Sequence, residues 1–153
     1  MFRTLPTVER THHDADLPAS AAGYARDTIT LGWEDRVKTR GRRQADEGVE
    51  FGVALPRGTI LRAGDLLIVE PHRLIVAVVE RSELVFVVTP RTPAEWGLFA
   101  YHVGNGHHPV MITEHELVCP EVPGVESLLQ YHRIPYERGL RAFTPVVSVN
   151  PHA

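Results

Sequence analysis

Three histidines crowd a glycine-rich break in the segment Tyr101-His102-Val103-Gly104-Asn105-Gly106-His107-His108-Pro109. Neutral imidazole is the commonest protein ligand for borderline divalent metals, so this grouping points to metal handling. Gly104 and Gly106 flank Asn105 and let the backbone leave a helix sharply, presenting the next residues to solvent. From residue types alone, His107 is either a ligand or an exposed histidine closing a loop. His102 falls on the helix, where a partly buried, hydrogen-bonded role competes with ligation, and His108 either assists or points away. Six of the nine histidines lie after residue 100. His152, close to the C-terminus, is either solvated or an auxiliary ligand. His12 and His13 are placed to capture metal transiently or to do nothing, and His72, His115 and His132 are assigned to the surface. Cys119, the single cysteine, is a soft donor, but its place in a strand candidate favours a buried structural thiol.

The elements that must position these residues can be read from pattern. Thr92-Pro93-Ala94-Glu95 is a helix start, with Thr92 as N-cap, Pro93 at the first helical position and Glu95 completing a capping box. Trp96, Phe99, Ala100 and Val103 repeat at helical spacing on one face, a core stripe, and Gly104 is read as the stop. Strand candidates flank this helix: Leu84 to Thr89 before it, then Pro109 to Ile112 and Leu117 to Cys119 after it. A second, shorter helix comes after Pro123-Gly124, and Leu140 to Val149 closes as an extended segment. That order is βαββαβ, the ferredoxin-like split unit. Upstream, 49–55, 66–69 and 74–79 read as short strands separated by Pro- and Gly-bearing turns, which suggests a small antiparallel sheet or barrel. Residues 1–26 show no sustained periodicity and are read as a loose tail. The expected fold class is therefore α+β: tail 1–26, a β-rich domain over 27–80, a ferredoxin-like domain over 81–149 and a terminal tail 150–153.

Bulk properties narrow the function. The 153-residue chain is 43% hydrophobic and 23% charged, in the range of soluble globular proteins. A net charge of −3 supplies no global basic field for nucleic acid or an anionic membrane. One cysteine excludes an internal disulfide framework and any cysteine-based zinc cluster within one chain, which suits a reducing compartment. The opening residues lack the apolar core of a signal peptide, and the longest apolar run, Leu74 to Val79, is far short of the ~20 residues needed to span a bilayer. Cytoplasm is the expected location, without membrane or nucleic acid as partner. Arg36, Lys38, Arg40 and Arg42, with Arg43 beside them, alternate at period two, so an extended segment would carry four charges on one face. A solvated face is the first reading, a docking surface for an acidic protein the second and nucleic acid the third, given the acidic total.

The chain resembles the urease accessory nickel chaperone family, UreE. Trp33-Glu34-Asp35-Arg36-Val37-Lys38-Thr39-Arg40 is similar to an early family stretch, and Leu55-Pro56-Arg57-Gly58-Thr59-Ile60-Leu61-Arg62-Ala63-Gly64-Asp65 to the family's Leu-Pro-Arg-Gly-Thr turn. Ala100-Tyr101-His102-Val103-Gly104-Asn105-Gly106-His107 resembles its Ala-Tyr-His-Leu-Gly-Asn-(Arg/Lys)-His motif, the most specific of the three. The resemblance implies a β domain and a ferredoxin-like domain in a homodimer. It also implies nickel bound at the dimer interface by the last histidine of the third motif, here His107, and delivery to urease with the accessory GTPase and the urease apoprotein. Gly106 departs from the family's basic residue, and His108 stands where an apolar or small residue is usual. Where some members carry extra histidines, this chain reads Cys119-Pro120-Glu121-Val122-Pro123; where many end in a histidine-rich tail, it has His152.

The expected role is non-enzymatic, with Ni(II) as cargo on His107, His152, His102 and His108. Zn(II) and Cu(II) share these ligand preferences, so the residues do not choose among the three. Two other classes compete: a metal-dependent hydrolase on a ferredoxin-like fold, and a peptide- or nucleic-acid-binding module. Against the first, the chain has no phosphate cradle, nucleophile motif or His-Glu-x-x-His. Against an RNA platform, the strand candidates of the second domain offer only Phe86, with Phe143 in the closing segment.

Overall fold

The computed structural model describes residues 4–146. The chain divides into two compact units at Arg81–Ser82. In the first, β1 (Thr7–Val8), β4 (Glu50–Ala54) and β3 (Arg40–Gln44) form one sheet in the order β1-β4-β3, and β2 (Ala25–Leu31), β6 (Leu74–Glu80) and β5 (Leu66–Val69) form another in the order β2-β6-β5. The N-terminal strand of each sheet runs parallel to its neighbour, β1 to β4 and β2 to β6, while the remaining pairs are antiparallel. A short helix α1 (Trp33–Val37) links β2 to β3.

Burial on both faces explains why β5 and β6 are written as continuous apolar runs. Leu67, Val69, Leu74, Val76 and Val78 join the main core with Phe51 and Val53. The alternate positions Leu66, Ile68 and Ile75 close on a second cluster with Ala21, Leu17 and Tyr24. Here the expectation of a loose tail over 1–26 is corrected for residues 4–26. Val8 is a core residue, Ala21 is fully buried, and His12 exchanges two backbone hydrogen bonds with Leu66 at 2.9 and 2.8 Å. The reason is that β5 and β6 have a second apolar face, and the polar N-terminal segment covers it with a few well-placed side chains.

The second unit is a single antiparallel sheet of β7 (Ser82–Val88), β8 (Met111–Ile112), β9 (Leu117–Pro120) and β10 (Glu137–Ala142), in the order β10-β7-β9-β8. Helices α2 (Pro93–Asn105) and α3 (Val125–Tyr131) complete the βαββαβ order, so the unit is the expected ferredoxin-like fold. Phe86, Val88, Leu117 and Cys119 pack beneath Phe99, Val103, Val125 and Leu129. Glu126 ties α3 to β10, accepting hydrogen bonds from Tyr136 at 2.9 Å and Arg138 at 2.5 Å.

Two boundaries differ from the sequence reading. The closing strand is 137–142, earlier than Leu140 to Val149, because polar residues occupy its start: Arg138 lies over the Phe86 ring at 5.2 Å and pairs with Glu126. Residues 147–149 and the terminal tail 150–153 fall outside the described residues. The basic run also departs from one extended face. Arg36 belongs to α1 and is fully buried, so only Arg40 and Arg42 share the outward face of β3.

Candidate functional site

The third motif forms the C-terminal half of α2 and its exit. The helix starts as the sequence predicts: the Thr92 hydroxyl accepts the Glu95 N–H at 3.1 Å. The Glu95 carboxylate reaches back one residue further than a capping box requires, accepting the Arg91 N–H at 2.8 Å. Phe99 and Val103 anchor the inner face. Gly104 does not end the helix, which runs to Asn105 and is capped by Gly106, whose N–H donates to His102 O at 3.1 Å. A side chain at 106 would overlap Leu128 Cδ1, and its Cβ would lie 3.1 Å from His108 Cδ2. Glycine at 106, where the family motif has a basic residue, is therefore fitted to this loop.

His107 takes the next position, with φ of 56° in the left-handed region. Its N–H donates to Gly104 O at 3.0 Å, closing the helix end, and the residue is exposed. Arg73 and Arg133 leave their helices with the same backbone conformation, so the geometry is a helix-exit device. What distinguishes His107 is an imidazole carried at that exit. His108 turns inward and is partly buried, its Cε1 lying 3.2 Å from where a Cβ on Gly124 would be.

His102, one turn back on α2, is stacked on His132 at the end of α3, with centroids 3.8 Å apart and planes 17° from parallel. Tyr101 meets the His102 ring edge-on at 5.4 Å, and Tyr131 meets His132 at 4.9 Å. His102 is thus engaged in helix–helix packing through its ring face. His132, assigned to the surface from sequence, is its partner. No spacing rule within one helix could reveal that pair, because the contact joins two helices. His152 lies outside the described residues.

Among the described residues no three His, Cys, Asp or Glu side chains gather closely enough to hold a metal ion. Cys119 is buried in β9, and burial pushes its thiol up to about 11, so it stays protonated near neutrality and is a poor metal donor. The outer face of α2 is unusually bare. Leu98 and Tyr101 are 53% and 64% exposed, and a Cβ at Gly97 or Gly104 would meet nothing within 4 Å. No helix among the described residues is long and apolar enough to cross a membrane.

Fold and motif together define a class: a β unit followed by a split βαβ unit that presents a histidine where its long helix ends. Models of the UreE urease accessory protein N-terminal and C-terminal domains match residues 7–80 and 83–152, so the chain belongs to the UreE urease accessory protein family. It is 36% identical over 144 residues to the urease accessory protein UreE of Burkholderia lata, covering 94% of this chain and 68% of that protein. It is 34% identical over 115 residues to that of Ureaplasma urealyticum, covering 75% and 76%. The match to the Nostoc punctiforme protein is 38% identical over 86 residues, covering 56% of this chain and 58% of that protein's length. The family is one of accessory proteins to an enzyme, not of enzymes.

Proposed function

We propose that this protein carries Ni(II) as cargo and delivers it for assembly of the urease active site, in the cytoplasm and in concert with the urease accessory GTPase and the urease apoprotein. The observation that carries the reading is His107: an exposed imidazole at the left-handed exit of α2, in the motif most specific to the family. A single imidazole does not hold Ni(II), which takes several N or O ligands in tetragonal or octahedral array. A two-fold axis near the end of α2 would bring two copies of His107 together, since an isologous interface presents each residue twice. The exposed Leu98 and Tyr101 and the bare Gly97 and Gly104 give that helix an apolar, low-relief face suited to a second copy. His152 and water complete the shell in this reading. His108 would support His107 from behind, and His102 would contribute only on leaving its stack with His132. Zn(II) or Cu(II) would occupy the same ligands.

Calorimetric titration of nickel into the intact protein, with the oligomer sized in parallel, tests this. The expected result is one ion per two chains, with binding lost in His107→Ala. Unchanged affinity in that variant, or no uptake at micromolar protein, would overturn it.

A further inference from the structure

In the second unit, α2 and α3 each bring one histidine to the same spot. His102 lies near the end of α2 and His132 directly follows α3, and their rings stack with centroids 3.8 Å apart and planes 17° from parallel. Both come from firmly held backbone. The Gly106 N–H donates to His102 O at 3.1 Å, and the His132 N–H donates to Leu128 O at 3.1 Å. Phe99 and Val103 of α2 share one core cluster with Val125 and Leu129 of α3, so the rings pivot about Cα positions that the core holds. Tyr101 and Tyr131, 64% and 82% exposed, meet the two histidine rings edge-on, and the pair itself is half-buried and open to solvent.

Packing alone does not call for imidazole here, since a phenyl ring stacks as well. The ring nitrogens, meanwhile, are idle. Among the described residues no hydrogen bond and no carboxylate engages either ring, whereas His13 and His115 each face an acid, at 3.5 and 4.0 Å. Each ring in its neutral form therefore keeps one unshared lone pair, which is the form in which imidazole binds metal. A divalent ion with metal–nitrogen bonds of about 2.0–2.1 Å holds two adjacent imidazoles with their donor nitrogens about 3 Å apart. The rings already lie at 3.8 Å, so turning the side-chain torsions to open the stack along one edge suffices to bring a nitrogen of each into that range.

We propose that His102 and His132 form a second metal site, one per chain, which takes a borderline divalent ion on two imidazoles with water in the remaining positions. It needs neither His107 nor a two-fold axis, so it stands apart from the interface reading above. Cu(II) binds it most tightly and Ni(II) and Zn(II) less so, following the general order of affinity for nitrogen ligands. With fewer protein ligands than a shared interface site, it fills second and exchanges its ion readily. His132 lies outside the three family motifs, so the site is a property of this chain and not of the motif that carries His107.

The test titrates Cu(II) into full-length His107→Ala, which lacks the interface ligand, and counts the imidazoles on each ion by pulsed electron paramagnetic resonance. The first Cu(II) bound per chain is expected to carry two imidazoles. His132→Phe in the same background keeps a ring against His102 but removes one donor. Its affinity should fall about a hundredfold, because the gain from holding the ion at two linked points is lost. His102→Phe should do the same, and thermal melts of both variants confirm that they fold. In protein that retains His107, His132→Phe should leave the first nickel step, one ion per two chains, unchanged, so this reading and the interface reading fail separately. A single imidazole on the first Cu(II), no uptake by His107→Ala, or equal affinity in His132→Phe would each overturn the proposal.

Discussion

Arg36 is fully buried and donates to Leu31 O at 3.3 Å and Leu61 O at 3.2 Å, with Glu80 Oε1 at 3.8 Å. It stitches α1 to the turn before β5, so the Trp33–Arg40 motif is a structural fastening. Arg36→Leu should cost about 3 kcal/mol, because it takes the donor from two buried carbonyls, Leu31 O and Leu61 O, and one of two cations from a Glu80 carboxylate that is itself only 12% exposed. Urea unfolding of the two proteins measures this, and a change below about 1 kcal/mol would contradict it. Cys119 makes a second case at this scale. With its thiol held at about 11, the thiolate is rare at neutral pH, and native protein should react with a thiol reagent orders of magnitude more slowly than unfolded protein. Rapid native labelling would show that β9 opens readily.

Helix α2 lets fold and ligation be separated. A left-handed exit favours glycine, so His107→Gly should leave stability unchanged or raise it by up to about 1 kcal/mol while removing the proposed ligand. Thermal melting and nickel titration of the same variant check both halves; a large loss of stability would mean His107 packs in a way its exposure contradicts. This element was also the most legible in the sequence, because Thr92, Pro93 and the Phe99–Val103 stripe obey local rules of capping and period. Gly104 misled by two residues, since a glycine inside a helix looks the same as one that ends it until a Cβ at Gly106 is seen to collide with Leu128. β10 was placed too late because Arg138 hides an apolar role, covering Phe86 with a charged side chain. The His102–His132 stack was illegible for another reason: it depends on where two helices end relative to each other.

At the scale of the molecule, acid sensitivity should arise in part from the first unit. Burial raises the Glu80 carboxyl, but the Ala63 N–H, the Arg62 side chain and the charges of Arg36 and Arg62 outweigh it, leaving Glu80 below its ordinary 4.5. A depressed carboxylate contributes stability that is complete above 4.5 and is lost as pH falls through its lowered value in the folded protein. Denaturant midpoints measured from pH 6 downward should therefore drop less steeply in Glu80→Gln than in wild type; parallel curves would rule this out. The two parallel pairs of that unit carry a further consequence, for how the chain is made. Thr7 pairs with Gly52 and Ala25 with Leu74, so neither N-terminal strand can find its neighbour until dozens of later residues have left the ribosome. During synthesis the first strands must wait in water beside other nascent chains. The polar, weakly patterned composition around β1, which made residues 1–26 read as a tail, is the composition that lets a segment wait without aggregating.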